Sequence, residues 1–373
     1  MAKSRPLPET YDIEKLKEFK TSFITELESS LNGEENSIGA IPNYLPPTSL
    51  VKPGDTFQVL VIGGSVLRNA LMESDFPVPS VISSTETSLP TLETKEKLFE
   101  ILLLELHPDA EILALNFAYP FASKIRNNRL DGSVVRGTKS HQLKGLIGQN
   151  LGEELENYIF EKTKRQITVT AANDALCLLL SAIHRNTDDN LIGGIIGTGT
   201  NYAIIQNGQV YNLESGNFDK FTMTQTGKLI DEHSNNQGQQ HFEKEVSGGY
   251  LYQHYNWFVE LHDLPIKTLK STVQLSYLAE SPHATLEQEI ARRLLERSAR
   301  LTGAKIAALL EFKSKPFTSI IMEGSLFWEG WNYVKIVEEN IEKLGHNLNT
   351  FEWIHIPDSS VIGAGNLVQT VDS

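Results

Sequence analysis

The stretch Leu191–Phe218, LIGGIIGTGTNYAIIQNGQVYNLESGNF, decides how the chain is read. Two runs of β-formers, Leu191–Ile196 and Tyr202–Ile205, flank the tight turn Gly197–Thr198–Gly199–Thr200. An Asn207–Gly208 turn then leads into Val210–Leu213, and Asn-Gly between β-formers is a strong hairpin signal. Without Cβ atoms, Gly197 and Gly199 let backbone N–H groups approach an anion, and Thr198 adds a hydroxyl donor. A dinucleotide fingerprint needs a helix after its glycines. A second strand follows here, so the expectation is a phosphate-binding hairpin, with a plain hairpin and a flexible tip as the competing reading.

Composition bounds the rest. At 373 residues the chain exceeds what one hydrophobic core usually holds, so two domains are expected. A net charge of -14 argues against nucleic-acid or anionic-membrane partners. The single cysteine, Cys177, lies among leucines and reads as a buried, inert thiol in a reducing compartment. No apolar run is long enough to span a bilayer. MAKSRPLPET lacks the apolar core of a signal peptide, so the expected location is the cytoplasm.

Outward from the central stretch, helical periodicity marks Asp12–Leu31, Thr94–His107, Leu151–Lys164, Ala175–Ile183, Gln240–Leu261, Thr285–Phe312 (bent near Gly303) and Leu326–Leu344. Strands are expected at Phe57–Ile62, Ile112–Phe117, Ile167–Ala171, Thr318–Met322 and Glu352–Ile356. Gly33–Gly54 reads as an extended connector, Asp131–Gly148 as a polar loop, and Val361–Gly365 as glycines entering a terminal helix. A strand-then-glycine pattern recurs at Ile62–Gly64, Ile196–Gly199, Met322–Ser325 and Ile362–Gly365, so several glycine turns could converge on one polyphosphate. Asn173–Asp174 falls at the carboxyl end of a strand and the start of a helix. Ligands gather at such places, although a helix N-cap would explain Asp174 as well.

Taken in order from about Ser37 onward, these motifs resemble the hexokinase family of sugar kinases, within the actin-like ATPase superfamily. IGTGTN at 196–201 looks like that family's phosphate hairpin, and NLESGNF at 212–218 its N-x-E-x-G-x-F segment. GQQHFEKEVSGGYL at 238–251 is close to GQQ-x-FEK-x-x-SG-x-YL, the most specific match. Thr138–Lys139 matches a sugar-contacting Thr-Lys, and Asn173–Asp174 the pair holding the catalytic base.

The resemblance implies an α/β, two-domain actin-like (ribonuclease H-like) fold with a central cleft. The smaller domain would be 53–172 plus 356–373, and the larger 1–52 plus 173–355. It implies ATP-dependent phosphorylation of a hexose 6-hydroxyl, with Asp174 as base and Lys139 stabilising charge. The sugar would be held by Thr138, Lys139, Asn173, Asp174, Asn201, Glu214 and Glu243; on local pattern alone, Glu214 and Glu243 read as a solvated face. ATP would meet Gly63, Gly64, Ser65, Arg68, Thr198, Gly199, Gly324 and Ser325, with Gly363 and Gly365 nearby. Mg2+ would be held through phosphates and water, with no direct protein ligand.

The chain departs from the family pattern in three places. Val61 replaces the Asp that organises magnesium, with Ser65 and Val66 replacing a Thr and an Asn. The sugar loop Ser-Phe-Pro becomes Ala118–Tyr119–Pro120, which removes a hydroxyl. The Gly-Phe after Thr-Lys becomes Ser140–His141. The first departure predicts a slow kinase, or a sugar-binding sensor with little turnover. The sequence leaves the hexose and the oligomeric state open.

Overall fold

The computed structural model describes residues 6–137, 141–184 and 189–369. The described chain begins with α1 (Ile13–Leu31), β1 (Ile41–Asn43), β2 (Thr56–Ile62), β3 (Val66–Glu73), β4 (Ser80–Ser88), α2 (Lys95–Leu104) and β5 (Ile112–Phe117). β6 (Phe121–Arg126), β7 (Arg129–Val134), α3 (Leu151–Thr163), β8 (Thr168–Asn173) and α4 (Asp174–Ser181) follow. Next come β9 (Leu191–Ile196), β10 (Thr200–Gln206), β11 (Gln209–Asn212), α5 (Gln225–Glu232), α6 (His241–Val246), α7 (Leu251–Leu261) and α8 (Thr272–Glu280). The last are α9 (Leu286–Lys313), β12 (Thr318–Glu323), α10 (Ser325–Glu329), α11 (Tyr333–Lys343), β13 (Phe351–Ile354) and α12 (Ser359–Gly365). They fall into two compact units, one of residues 1–40, 194–202 and 213–354, the other of 41–193, 203–212 and 355–373.

The second unit is built on a five-stranded sheet in the order β4-β3-β2-β5-β8. β2, β5 and β8 run parallel, while β3 and β4 are antiparallel additions. Side chains alternate across a sheet with period two. Leu60, Ile62, Leu113, Leu115, Phe117, Val169 and Ala171 therefore share one face, where they form a core with Leu98, Phe99, Leu102, Leu151 and Leu155 of α2 and α3. The opposite face meets α12, which also packs along α4. There Asn116 Nδ2 donates to Ser360 O at 3.0 Å. β1, β11 and the end of β10 form a small antiparallel set in the same unit.

The first unit is organised around α9. Thr285 caps it, its hydroxyl accepting Gln288 N–H, and the helix runs unbroken through Gly303. α1 and α11 pack on it. α1 begins as its sequence demands, with Asp12 accepting Lys15 N–H, and buries Leu16, Phe19, Phe23 and Leu27. Phe19 meets Phe218 edge to face at 5.0 Å between ring centroids. Within this aromatic core lies the Lys305 ammonium, fully buried, 3.6 Å from the centroid of Phe242 and 4.8 Å from that of Tyr202. Its Nζ donates to Ser215 O and Oγ, both at 3.0 Å.

Several sequence expectations are corrected. Gly33–Gly54 contains β1, held by pairing with β11, and Asp131–Gly148 begins inside the hairpin β6–β7. Neither strand has a long apolar alternation to announce it. Gln240–Leu261 is two helices, because Gly248 and Gly249 turn their N–H groups out to Gly197 O and Thr198 O. Leu326–Leu344 is likewise split at Gly330.

Burial holds the Lys305 amine well below its ordinary value, and the Glu243 charge only partly opposes this. A lowered folded value means that the unfolded chain binds more protons, so the contribution to stability rises with pH and is complete above the unfolded value near 10.5. Melting wild type and Lys305→Met from pH 7 to 10.5 is expected to show the wild type gaining on the variant as pH rises. A constant difference would mean that the amine stays charged throughout.

Candidate active site

In the first unit the glycine turn between β9 and β10 is drawn tight, with Gly197 N–H donating to Gly199 O at 3.0 Å. Gly248 N–H reaches Gly197 O at 2.7 Å and Gly249 N–H reaches Thr198 O at 2.9 Å. From a third direction Gly324 closes in at φ +115°; a Cβ there would stand 2.1 Å from Ile196 O. Only glycine permits that approach. Thr198, Gly199, Gly324 and Ser325 are thus gathered in one place, as expected of a polyphosphate site. The N–H groups of Thr198 and Gly199 have no acceptor among the described residues.

Beside this turn opens a cavity of about 400 Å³. Gly197, Thr198 and Gly248 form one wall, Thr272, Ser276 and Tyr277 of α8 another, and Ser325 and Leu326 a third. Thr272 Oγ1 ties α8 to the turn by donating to Gly248 O at 2.6 Å. The sequence reading missed α8, since nothing in residues 262–284 carries a strong period or a motif.

Asn201, Glu214 and Glu243 lie in the same unit. Glu243, on α6, is only 4% exposed, so it does not belong to a solvated face. Its Oε2 accepts Thr200 N–H at 2.9 Å. Glu214 heads a short 3₁₀ turn at φ +46°, and the next residue, Ser215, is the one gripped by Lys305. Asn201 Oδ1 accepts the N–H of Tyr202 at 2.8 Å. The residues after Glu243 frame it: buried Lys244 bonds Asp231 at 2.6 Å, and buried Glu245 faces Arg297 at 3.4 Å while accepting from Thr224. The Lys244–Asp231 pair satisfies a buried charge by pairing and hydrogen bonding, whereas Arg297 has an ion pair but no hydrogen bond from its guanidinium nitrogens among the described residues. Lys305 was not singled out from sequence, because a lysine in an amphipathic helix ordinarily reads as solvated.

In the second unit Asn173, not Asp174, caps α4. Its Oδ1 accepts Ala175 N–H at 2.9 Å and its Nδ2 donates to Tyr119 O at 3.2 Å. Asn173 is 1% exposed and acts by fixing the strand–helix corner. Asp174 is the first helical residue, half-buried, its Oδ1 on Ala175 N–H at 2.8 Å. Burial, followed by the Asp174 charge, raises the Tyr119 phenol far above its ordinary value. Tyr119 Oη in turn donates to Gly63 O at 3.0 Å, in the loop Gly63–Gly64–Ser65.

Arg68 is engaged with Asp358 at 2.7 Å and approaches Glu86 at 3.7 Å. Gly363 and Gly365 serve packing instead of a loop. A Cβ at Gly363 would lie 1.8 Å from Cys177 O, and one at Gly365 would lie 2.9 Å from Pro79, so both sit inside helix contacts. Thr138 and Lys139 lie outside the described residues. Among the described residues no cluster of acids, His or Cys could hold a metal ion directly. Val61, which stands where the family pattern has an Asp, offers no acceptor for hydrated magnesium, so this position does not fit that role. No helix among them is long and apolar enough to cross a membrane.

A family model described as Hexokinase matches residues 191–253 and 260–370. Hexokinase of Kluyveromyces lactis is 25% identical over 392 aligned positions, covering 85% of this chain and 80% of that protein. Among solved structures, the Schistosoma mansoni hexokinase complexed with glucose superposes with a TM-score of 0.77 at 20% identity, covering 96% of this chain and 95% of that one. A ROK family glucokinase from Streptomyces griseus, in complex with glucose and AMPPNP, gives 0.60 at 15% identity, covering 84% and 99%. The structural likenesses establish the two-domain actin-like α/β fold. The family model runs from β9 to the C-terminal helix, so that part of the chain is similar to the hexokinase family of sugar kinases.

Proposed function

We propose that the protein transfers the γ-phosphoryl group of ATP to the 6-hydroxyl of a hexose. The observation that carries this reading is Glu243, a carboxylate drawn out of solvent onto Thr200 N–H, in the unit that also holds Asn201 and Glu214 and whose glycine turn has two N–H donors without acceptors among the described residues. A pyranose presents a ring of hydroxyls, and carboxylates and amides satisfy such a ring without requiring a charged ligand. Glucose in the Schistosoma mansoni structure and AMPPNP in the Streptomyces griseus one support the choice of ligands.

In this reading Asn201, Glu214 and Glu243 hold sugar hydroxyls, together with Thr138 and Lys139, and Asn173 sets the position of Asp174. Asp174 accepts the proton of the 6-hydroxyl as its oxygen bonds to the γ-phosphorus, and the bond to the bridging oxygen of ADP breaks. The N–H groups of Thr198, Gly199 and the Gly63–Ser65 loop take up charge on the phosphoryl oxygens, and Lys139 adds a positive charge. The cavity beside α8 would take the base. Phosphoryl transfer depends on positioning and electrostatics, which is what such groups supply. Magnesium would accompany ATP through its phosphates and water, and no step is assigned to it.

Val61 favours a second reading, a sugar sensor with little turnover. ADP release measured against a panel of hexoses separates the two, since thermal stabilisation by a hexose without ADP release would favour the sensor. Asp174→Ala is expected to lower the rate by about 10²–10⁴-fold with an unchanged melting temperature. Activity within a few-fold of wild type would leave Asp174 as a helix residue only. Glu243→Gln exchanges an acceptor for a donor and is expected to cost about 1–3 kcal/mol of hexose affinity by calorimetry. Unchanged affinity for every hexose would remove Glu243 from the site.

Position 61 allows a direct test. Val61 is half-buried near the open end of β2, and its register partners are Arg68 on β3 and Asn116 on β5. A carboxylate there would have the Arg68 guanidinium across the strand pair, which offsets its desolvation. Val61→Asp is therefore expected to fold, to raise turnover, and to lower the magnesium concentration giving half-maximal rate. A folded variant with wild-type rate and magnesium dependence would show that the valine does not limit this protein.

A further inference from the structure

The loop between β2 and β3 is held from behind by two side chains from separate segments. Tyr119 Oη donates to Gly63 O at 3.0 Å. His141 Nε2 lies 2.8 Å from Gly64 O, while its Nδ1 accepts Leu92 N–H at 2.9 Å. A ring nitrogen that accepts carries no proton, so the Leu92 bond puts the imidazole proton on Nε2, which donates to Gly64 O. The ring is 5% exposed and stands edge-on to Tyr119, with centroids 5.6 Å apart.

A trans peptide points its C=O and the following N–H in opposite directions. Fixing Gly63 O and Gly64 O therefore aims Gly64 N–H and Ser65 N–H away from Tyr119 and His141. Neither N–H has a hydrogen-bond partner among the described residues, although Gly63 N–H and Ser65 O on either side are engaged with Val66 and Leu89. Successive N–H groups left free in a glycine turn form a concavity for an anion. A Phe, as in the family pattern at 141, has neither the donor nor the acceptor.

We propose that His141 is a positioning residue of the nucleotide site: through the Gly64 carbonyl, its Nε2–H aims the Ser65 N–H at a phosphoryl oxygen of bound ATP or ADP. The proposal rests on reading Gly63–Ser65 as a phosphate loop. His141 keeps its proton throughout and touches no reacting atom. The competing role is a buried histidine that serves only Leu92 and the packing around it.

The test uses the full chain and ADP as probe, with His141→Phe and His141→Gln. Calorimetry is expected to show about a tenfold higher Kd for ADP in His141→Phe, since a donor is misaimed and not removed. The Kd of the hexose that best stabilises wild type should stay within about twofold. In His141→Gln the side-chain amide keeps a donor toward Gly64 O, and the ADP Kd should return to within about threefold of wild type. The KM for ATP should follow the same order. An unchanged ADP Kd in His141→Phe would overturn the proposal, as would equal losses of ADP and hexose affinity, which mark a general scaffold role. If His141→Phe does not fold, His141→Leu takes its place, and unchanged ADP binding there would overturn the proposal as well. A wild type that binds no ADP overturns the phosphate-loop reading itself, and this proposal with it.

Discussion

Three backbone turns from distant parts of the chain meet without side chains between them, and the first unit depends on that contact. Gly248 and Gly249 donate to Gly197 O and Thr198 O, while Gly324 comes so near Ile196 O that no Cβ would fit between them. The two hydrogen bonds occupy carbonyls of the β9–β10 turn, while the N–H groups of Thr198 and Gly199 have no acceptor among the described residues. Any side chain at Gly324 would meet a carbonyl oxygen at 2.1 Å, and no rotamer relieves a clash that begins at Cβ. The same approach breaks the helix that periodicity alone would run from Gln240 to Leu261. Its two halves become α6, which carries Glu243, and α7, with the donors to the turn between them.

Around Glu243 the chain buries several ionisable side chains. Lys244, Glu245, Arg297 and Lys305 are all fully buried, and each faces an opposite charge, an aromatic ring or a hydroxyl. Hydrocarbon in their place would cost less desolvation, so the network is better understood as fixing geometry than as adding stability. Lys305 joins the Ser215 end of the Glu214 turn to the aromatic cluster that α1 completes. A residue far from the site in sequence, such as Phe23 on α1, thereby bears on where Glu214 stands.

The second unit uses different means to the same end. Its parallel strands β2, β5 and β8 finish side by side, as the pairs Ile62 with Phe117 and Phe117 with Asn173 show. The Gly63–Ser65 loop and the Asn173–Asp174 corner therefore leave neighbouring strands at the same edge. Tyr119 joins them, its phenol on Gly63 O and its carbonyl on the Asn173 amide.

By itself the sequence determined the elements whose signal is local: the β2, β5 and β9 runs, the Asn207–Gly208 hairpin, the capped helices α1 and α9, and the glycine turns. The ordered motifs also singled out Asp174, Glu214 and Glu243 as candidates, because those motifs are contiguous. What only the tertiary structure decided is which polar side chains are buried and which groups they hold. Asn173 caps α4, and Arg68 pairs with Asp358. Lys305 and His141, which drew no notice as a lysine on a helix and a histidine after a Thr-Lys pair, are buried and aimed at the loops that matter. Burial and hydrogen-bond partners depend on residues hundreds of positions apart, and a pattern read along the chain carries no information about that pairing.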